Sequence, residues 1–438
     1  MKISPQVAMT LRQIMLMNFG FFGIQYSFGL QQTAINPIFS FLHADPSQLP
    51  ILNMAGPITG LLVQPMIGAM SDRTWVPGLG RRRPYFLIGA IGCSLCLFIY
   101  PHVTALWVAV LLLLDISNNT AMEPFRAFIA DTVPEQQQST GFLMQSVFTG
   151  LGITLANVSL YIFQQIGWLQ QTSEAGIPYW VFGSFYIGAV CSIGSVLVTV
   201  LSTAEREPSP EEMAAIKAQP SGPAHAVKDI VVAVREMPTA LWQLALVYLF
   251  QWYALFIYWQ YISHSIVQSV WDSTVENTEA YSQAVAWTGL VNGFYNVVTF
   301  ISAFGLMWMA RKYAAKYVHA FAVTLAALAL LTIPHIGNKY LMFAPMIGFG
   351  VGWASMMGVP FMIVVGSIPK ERYGVYMGIV NMMIVIPMLI ETVSFGWVYK
   401  TFLGSNPANA MTFAGVSLAI AAALTLTIKT AAKPATAE

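Results

Sequence analysis

Charged residues are scarce in this sequence. They make up 9% of its 438 residues, where an ordinary soluble domain carries roughly 25%. Hydrophobic residues make up 56%, in repeated apolar runs of about 20 residues, which is the length an α-helix needs to cross a bilayer. The composition therefore excludes an ordinary water-soluble enzyme. The length of the runs also argues against the short alternating strands of a membrane β-barrel.

Cysteine and histidine are also few. Cys93 and Cys96 form a CxxC pair, but no second pair or histidine cluster lies nearby in the sequence. The six histidines are scattered, with no Ser-His-Asp arrangement and no metal-ligand spacing. The net charge of +1 points neither to nucleic acid nor to a strongly acidic partner. We therefore expect no enzyme activity, no catalytic or metal site, no cofactor and no nucleic-acid partner.

The apolar runs predict an all-α polytopic membrane protein with twelve transmembrane helices. They lie near residues 10–32, 48–70, 84–101, 104–129, 140–166, 179–201, 240–266, 284–310, 316–334, 340–366, 374–400 and 410–429. The Lys and Arg residues are distributed unequally across the membrane when the twelve runs are threaded through it. Eighteen fall on one side, and only Lys339 and Lys400 fall on the other. Because cytoplasmic loops carry the excess of positive charge, both termini are predicted to be cytoplasmic.

The longest polar segment divides the chain into two halves. Residues 202–239 are rich in Pro, Ser and Ala, as in a linker, and join a six-helix bundle at 1–201 to a second at 240–438. Spans four and ten also share a Pro-Phe pair, Pro124-Phe125 and Pro360-Phe361, followed by a second proline. Six plus six helices with a central cytoplasmic loop is the layout of the major facilitator superfamily. The resemblance implies two repeated halves around a binding site near the membrane midplane.

The loop between spans two and three carries a recognisable motif. The segment GAMSDRTWVPGLGRRRP begins at Gly68 and resembles the G-x-x-x-D-R-x-G-R-R loop of the superfamily, with an insertion. A glycine permits close helix approach, and a carboxylate can accept from an arginine or a helix N-terminus, contacts that break and reform as two halves rock. These features predict a gating role for Gly68, Asp72, Arg73, Arg81 and Arg82, although the arginines also suit a cytoplasmic anchor.

Span four places charged residues inside an apolar helix. Residues 111–131 read LLLLDISNNTAMEPFRAFIAD, with Asp115 about 15 Å along the helix, near the middle of the bilayer. A charge there costs roughly 2.5–3.5 kcal/mol, so such residues are usually functional and face the bundle interior. Apolar surroundings favour the protonated form of a carboxyl group, which suits uptake and release of a proton. A structural Asp115 bonded to Asn118 or Asn119 is the alternative.

Three spans resemble the plant sucrose transporters and their animal and bacterial relatives, a group near the glycoside–pentoside–hexuronide cation symporters. The segments are GIQYSFGLQ at 23–31, span four, and GIVNMMIVIP at 378–387. The resemblance covers nearly the whole chain and is most specific in the first five spans. It implies a cation-coupled, usually proton-coupled, sugar symporter, with Asp115 as proton acceptor and Arg126 as its essential partner.

Geometry limits how Arg126 can act. It follows Asp115 by eleven residues, which places both on one helix face but about 16 Å apart along the axis, too far for a direct pair. Arg126 is therefore expected to pair with another helix, with Glu123 or with Asp131, or to serve as a cytoplasmic anchor. Glu123 stands where the plant proteins carry glycine, and it is a candidate second titrating group or partner of Arg126.

Amide and aromatic side chains within the spans are candidates for sugar binding, because hydroxyl groups need polar partners and sugar rings stack on aromatic faces. In the resembling superfamily, spans one, four, seven and ten line the cavity. The candidates are Gln25, Asn118, Asn119, Gln145, Asn157, Gln251, Trp252 and Asn381. Each amide is also suited to interhelical hydrogen bonding. Glu391, a buried acid in span eleven, is a second coupling candidate.

The sequence thus predicts a secondary active transporter that carries an α-glucoside of the sucrose or maltose type into the cell with a proton, by alternating access. The plants' acidic and basic cluster in span seven is missing here, which favours the bacterial relatives. The expected setting is the cell membrane, the inner membrane in a bacterium, with lipid and a small sugar as partners and a functional monomer. The alternatives are a sodium-coupled glycoside symporter and a non-transporting membrane sensor.

Overall fold

The protein is almost entirely helical in a computed structural model. The structure describes residues 8–102, 107–134, 137–167, 171–205, 207, 209–211, 214, 231–365, 367–368 and 373–429. Among these described residues, β-type pairing is limited to two isolated bridges, Val76–Gly80 and Thr172–Pro178. The long apolar runs favour helices because a helix satisfies every backbone donor and acceptor within one segment, which lipid cannot do.

Twelve helices of seventeen residues or more occupy the described chain. They are α1 (Leu11–Phe41), α2 (Ala55–Arg73), α3 (Arg83–Ile99), α4 (Trp107–Thr132), α5 (Gln138–Gln164), α6 (Tyr179–Ser202), α7 (Thr239–Trp271), α8 (Thr278–Lys312), α9 (Ala315–Thr332), α10 (Phe343–Val365), α11 (Tyr373–Thr401) and α12 (Pro407–Leu426). Each corresponds to one predicted span, so the all-helical architecture is confirmed.

Ten helical segments in the described residues are long and apolar enough to cross a membrane. Helices α1 and α4 are as long as the others but are not among these ten. Both carry several polar side chains, and α4 includes Asp115, Glu123, Arg126 and Asp131. These two helices are therefore less apolar along their length than the ten segments.

Helix α1 is longer than its apolar run. The run ends near residue 32, whereas the helix continues to Phe41 through Thr33, Asn36, Ser40 and the internal Pro37. The polar side chains in this extension are accommodated because the structure buries or half-buries them against protein. Hydropathy alone therefore placed the end of the helix too early.

The described contacts divide the chain into two compact units. The first unit comprises Met1–Ile38 and Ile58–Ser221, and the second comprises Phe39–Pro57 and Gly222–Glu438. The division follows the contacts of each segment, so the connection from α1 to α2 belongs with the second unit. The predicted bundle limits at 201 and 240 stay a prediction, and most of the predicted central loop at 202–239 lies outside the described residues.

The first unit packs α4 against α1 and α3 through aromatic side chains. Phe125 of α4 lies 5.4 Å from Phe21 of α1 and 5.0 Å from Phe86 of α3, measured between ring centroids. All three rings are buried. Offset and tilted aromatic pairs of this kind add to the free energy of burial. This core lies about two turns of α4 beyond Asn118 and Asn119, and it fixes the rotation of α4 that the site requires.

In the second unit, α7 is the central element. It packs against α8, α11 and α12, and the short helix Leu49–Leu52 in the α1–α2 connection also contacts it. Tyr261 of α7 donates to the carbonyl oxygen of Pro46 at 2.7 Å, and Ser40 lies 3.0 Å from the Nε2 atom of His264. These contacts explain why the connection belongs with this unit.

Candidate functional site

Asp115 lies inside the first unit and not on its lipid-facing surface. Its side chain is 6% exposed, and its Oδ1 atom accepts a hydrogen bond of 3.1 Å from Nε2 of Gln31 on α1. Among the described residues, no lysine or arginine forms an ion pair with it. A buried carboxyl whose described partner is a neutral amide has no fixed counter-ion.

Asn118 connects three helices one turn beyond Asp115. Its Nδ2 atom donates at 3.0 Å to Ser27 and at 3.0 Å to Oε1 of Gln31, both on α1. Its Oδ1 atom accepts from the thiol of Cys93 on α3 at 2.9 Å. Gln31 therefore bridges Asp115 and Asn118, donating to the first and accepting from the second.

Asn119 extends the same network to α2. Its Nδ2 atom donates to the hydroxyl of Thr59 at 3.0 Å and to the carbonyl oxygen of Asp115 at 2.9 Å. Its Oδ1 atom accepts from Nε2 of Gln64 at 2.6 Å. We call the group formed by Asp115, Asn118, Asn119, Gln31, Ser27, Thr59, Gln64 and Cys93 the polar cluster. Its members come from α1, α2, α3 and α4.

The polar cluster has a defined chemical capacity. An ionised carboxylate only accepts hydrogen bonds, whereas a protonated one also donates. The amides and hydroxyls beside Asp115 supply both donors and acceptors, so the cluster can rearrange its hydrogen bonds when the carboxyl gains or loses a proton. Within the described part of the chain, no three His, Cys, Asp or Glu side chains come together as metal ligands would.

Arg126 does not contact Asp115. Its Nη1 atom pairs with Oε1 of Glu123 at 3.1 Å, one turn back along α4, and its Nη2 atom lies 3.8 Å from the sulfur of Met122. The Arg126 side chain is 49% exposed and that of Glu123 is 32% exposed. Pairing with Glu123 was one of the arrangements expected from the sequence. The roles of both residues in coupling stay predictions.

The arginine loop after α2 is held by two acids. Oδ2 of Asp131, at the end of α4, accepts from Arg81 at 3.2 Å and from Arg82 at 3.0 Å. Arg82 also donates to the hydroxyl of Ser71 at 2.6 Å, and its guanidinium is buried. These contacts tie the loop to α2 and α4. The gating role predicted for Arg81 and Arg82 is not tested by them.

Glu205, just after α6, was not anticipated from the sequence. Its carboxylate accepts from the backbone N–H groups of Arg81, Arg82 and Arg83 at 2.8 to 3.1 Å, and it lies 3.8 Å from Nε of Arg83. It therefore caps the N-terminus of α3, where unpaired N–H groups favour an anion. Gly80, with a φ of +86°, lies directly against this carboxylate and leaves no room for a Cβ atom.

The remaining motif residues lie at the end of α2. A Cβ atom added at Gly68 would meet nothing within 4 Å, so this glycine does not mark a close helix contact in this structure. Asp72 and Arg73 form the last turn of α2, and their side chains are outside what the structure describes. Their predicted gating roles stay predictions.

The sugar-binding candidates of the first unit differ in how they are engaged. Asn157 is buried, donates to the carbonyl oxygen of Ile153 and accepts from the hydroxyl of Thr33, so protein groups engage both ends of its amide. Gln25 lies 3.7 Å from the sulfur of Met122. The Nε2 atom of Gln145 has no hydrogen-bond partner among the described residues.

The second unit holds the other three candidates. Oε1 of Gln251 lies 3.2 Å from Nε2 of His319, whose Nδ1 atom is 2.9 Å from the hydroxyl of Ser355. Trp252 is buried with its ring 6.0 Å from that of Trp353, and its indole N–H has no partner among the described atoms. Asn381 is half-buried. A role in sugar binding stays a prediction for all three.

Sequence reasoning missed five members of the polar cluster, namely Ser27, Gln31, Thr59, Gln64 and Cys93. It favoured the face of α1 that carries Gln25, whereas Gln31 lies about 240° further round the helix. One signal was present, because Ser27 and Gln31 are four residues apart and form a polar face of their own. Nothing in the sequence marked Thr59 and Gln64 as neighbours of Asn119.

Comparison with curated proteins finds relatives over most of the chain. The chain is 25% identical to "Sucrose transport protein SUC4" of Arabidopsis thaliana, over 89% of this chain and 84% of that protein. It is 24% identical to "Sucrose transport protein SUT3" of Oryza sativa subsp. indica, over 97% of this chain and 94% of that protein. These relatives are named as transport proteins and not as enzymes.

Solved structures with the same fold include the nucleoside transporter NupG and the xylose transporter XylE from E. coli. NupG matches with a TM-score of 0.70 and 16% identity, covering 96% of this chain and all of that one. XylE matches with a TM-score of 0.65 and 13% identity, covering 97% and 99%. The family model described as Major Facilitator Superfamily matches residues 17–391. With twelve long helices and a match over most of its length, the chain belongs to the Major Facilitator Superfamily.

Proposed function

We propose that this protein is a secondary active transporter that carries an α-glucoside, of the sucrose or maltose type, into the cell together with a proton. Membership of the superfamily supports transport by alternating access. The names of the relatives from Arabidopsis thaliana and Oryza sativa support a sugar of the sucrose class as the cargo. The proposed setting is the cell membrane, with the termini on the cytoplasmic side, and the proposed functional form is a monomer.

One observation carries the proposal of proton coupling. Asp115 is a buried carboxyl in a helix of a membrane transporter, and its described partner is the neutral amide of Gln31. A permanent charge at this place would be costly, whereas a carboxyl that alternates between charged and neutral forms suits a coupling site. The coupling ion is then the proton itself, and no further cofactor is needed.

The polar cluster supplies a route from protonation to sugar binding. When Asp115 is ionised, its carboxylate accepts a hydrogen bond from the amide N–H of Gln31, and the amide oxygen of Gln31 accepts one from Asn118. A protonated Asp115 is a weaker hydrogen-bond acceptor, so Gln31 and Asn118 become free to reorient toward a sugar hydroxyl. We propose that this exchange makes sugar binding depend on the proton taken up from outside.

Release is proposed to follow a rocking of the two halves. The arginine loop is tied through the side chains of Arg81 and Arg82 to Asp131, and through its backbone N–H groups to Glu205. Such charge-assisted contacts have two discrete states, made and broken, which suits a gate. Asp72 and Arg73 are proposed to take part, as the motif suggests. The Nε2 atom of Gln145 and the indole N–H of Trp252 have no hydrogen-bond partner among the described residues, and they are further candidates for contact with the cargo.

Uptake into proteoliposomes tests this function. The purified protein is reconstituted, and the uptake of labelled sucrose, maltose and trehalose is measured with and without an imposed pH gradient. Accumulation of sucrose or maltose that requires the gradient, and that a protonophore abolishes, is the expected result. Uptake that depends on sodium and ignores the protonophore would replace the proposal with a sodium-coupled symporter. Absence of uptake of all three sugars would reject an α-glucoside as cargo.

A further inference from the structure

A second buried carboxyl lies in the second unit. Glu391 is on α11, ten residues before the helix ends at Thr401, which places it about 15 Å from that end. Its side chain is completely buried, and it lies within a segment long and apolar enough to cross a membrane. Nothing in the proposed sugar or proton site of the first unit uses it.

The hydrogen bonds of Glu391 are incomplete in a specific way. Its Oε2 atom accepts from Nε2 of Gln260 on α7 at 3.2 Å. Its Oε1 atom and the Oε1 atom of Gln260 are both buried, and neither has a hydrogen-bond partner among the described residues. Two neighbouring side chains therefore present two unpaired acceptors and no donor for them.

A proton on Glu391 removes this mismatch. A carboxylic acid and a primary amide can form a reciprocal pair, in which the amide N–H donates to one carboxyl oxygen and the carboxyl O–H donates to the amide oxygen. The first of these bonds is present between Gln260 and Glu391. The second joins the two atoms that are unpaired here, and it requires the neutral acid and a small rotation of either side chain.

The described surroundings of Glu391 offer no fixed counter-ion. The described ionisable groups of α11 and of the elements packed against it are Tyr248, Tyr253, Tyr258, Tyr261 and His264 from α7, Asp45 from the α1–α2 connection, and Tyr376, Tyr399 and Lys400 from α11 itself. Lys400 pairs with Asp45 at 2.9 Å, and Nε2 of His264 lies at hydrogen-bond distance from Ser40. The helix α12 and the short helix Leu49–Leu52 carry no ionisable side chain.

We propose that Glu391 and Gln260 form a second proton-binding site, which takes up and releases one proton in each transport cycle. The proton comes from water, binds Oε1 of Glu391 and is held by the amide oxygen of Gln260. It returns to water when a change in α7 or α11 separates the pair and opens the site. This inference rests on the proposed proton symport, to which it adds a second site in the second unit.

Infrared difference spectroscopy tests the protonation step without a sugar. The full-length protein in lipid is measured against pH, and the carbonyl band of a buried neutral carboxyl is followed. We expect a band that titrates within about pH 5–9 and is lost in Glu391→Gln. An unchanged band in that variant, or a Glu391 band that does not titrate in this range, would overturn the proposal.

Transport stoichiometry tests the role in the cycle. Protons and labelled sucrose entering proteoliposomes are counted together for wild type and Glu391→Gln. The expected ratio in the variant is about half that of wild type, because one of two proton sites remains. If the variant carries as many protons per sucrose as wild type, the second proton site is rejected while the proposed symport stands. If wild type moves none with sucrose, the proposed symport is rejected as well.

Two further variants separate proton binding from simple packing. The double variant Gln260→Glu, Glu391→Gln exchanges the two groups and keeps one acid and one amide in contact. It is expected to restore both the infrared carbonyl band and the proton-to-sucrose ratio. Thr392→Val changes the next, buried position, whose hydroxyl bonds the carbonyl oxygen of Met388, and is expected to change neither. Loss of the ratio in Thr392→Val, or failure of the exchange to restore it in a folded protein, would count against the proposal.

Discussion

Nε2 of Gln31 donates a hydrogen bond of 3.1 Å to Oδ1 of Asp115 and thereby joins α1 to α4 inside the first unit. The same amide accepts from Asn118 through its oxygen at 3.0 Å. Gln31 is thus the residue through which a change in the charge of Asp115 reaches a second polar side chain.

Replacement of Asp115 by Asn should uncouple transport. The amide keeps the size and polarity of the side chain but cannot bind a proton as a carboxylate does. We expect loss of sucrose accumulation against a gradient, with exchange of labelled for unlabelled sucrose retained. Both are measured in proteoliposomes under an imposed pH gradient.

The matched control is Ser117→Ala. Ser117 lies two residues further along α4 and bonds the carbonyl oxygen of Leu113 outside the polar cluster, so its loss should leave uptake unchanged. Uphill accumulation at the wild-type level in Asp115→Asn would remove this residue from the coupling mechanism.

Replacement of Gln31 by Leu should weaken coupled uptake strongly. It deletes the donor to Asp115 and the acceptor for Asn118, and a lost partner of a buried polar group costs about 1–3 kcal/mol. We expect sucrose uptake driven by a pH gradient to fall by about 5- to 150-fold, since 1.4 kcal/mol corresponds to a factor of ten. The thermal unfolding temperature is measured in parallel.

Gln31→Glu provides the comparison, because it retains an acceptor for Asn118 but places a second acid beside Asp115. We expect it to impair uptake as well, since two neighbouring carboxylates do not readily ionise together. Normal coupled uptake by Gln31→Leu, in protein of wild-type stability, would mean that this hydrogen bond has no part in transport.

Replacement of Glu205 by Ala should destabilise the arginine loop. The variant leaves the backbone N–H groups of Arg81, Arg82 and Arg83 without their acceptor, and loss of a helix cap costs about 0.5–2 kcal/mol. The apparent Tm of the detergent-solubilised protein should fall by a few degrees. Glu207→Ala is the control, because Glu207 is exposed two residues away and should leave the Tm unchanged. Equal Tm values for both variants would contradict the capping role.

The ion pair of Asp45 with Lys400 should make a small, pH-dependent contribution to stability. Burial alone would raise the pKa of Asp45, but hydrogen bonds from Lys400 and from Ser47 outweigh it and hold this pKa below its ordinary value. The contribution is therefore present above the pKa of the unfolded state and is lost as the pH falls through the lowered pKa of the folded state. For an exposed pair it amounts to about 0–1 kcal/mol.

The measurement is the apparent Tm of wild type and Asp45→Asn from neutral to acidic pH. The two Tm curves should differ slightly near neutrality and converge at low pH, and added salt should reduce the difference. A gap that widens on acidification would show that Asp45 does not act through its charge.

Replacement of Gly23 by Ala should be poorly tolerated. A Cβ atom there would lie 2.2 Å from the carbonyl oxygen of Cys191 and 2.3 Å from the hydroxyl of Ser195, both on α6. Since the first of these is backbone, α1 and α6 must separate, and overpacking of this kind costs about 1–3 kcal/mol. We expect a lower apparent Tm and a lower yield of monodisperse protein.

Gly194→Ala is the matched control, because Gly194 also lies on α6 but has open space where a Cβ atom would stand. Alanine is the better helix former by about 1 kcal/mol, so this variant should be neutral or slightly stabilised. A stable Gly23→Ala protein would show that α1 and α6 do not pack this closely.

Several features of the fold and the site were predictable from local properties of the chain. Hydropathy located twelve helices, and the polar residues inside span four marked Asp115, Asn118 and Asn119 as unusual. The distance along one helix also predicted that Asp115 and Arg126 do not pair, and the structure places Arg126 against Glu123 instead. These inferences succeeded because each depends on a single helix.

The partners of Asp115 were not predictable in the same way. Gln25 and Gln31 are both amides on α1, and sequence reasoning singled out Gln25, whereas the structure pairs Gln31 with Asp115. The side chain that meets α4 depends on the rotation and axial shift of α1, which the close contact of Gly23 with α6 and the ring of Phe21 against Phe125 constrain. Glu205 was missed for a similar reason, since it lies more than 120 residues from the N–H groups it caps.

The sequence by itself determined that this chain is a bundle of membrane helices with a carboxyl in the fourth, because apolar length and the cost of a buried charge are properties of each segment alone. Only the tertiary structure decided that Gln31 bonds Asp115, that Glu205 caps α3 and that Glu391 meets Gln260. Such pairs require two helices to be in register, and register is set by packing over the whole unit rather than by any one stretch of residues.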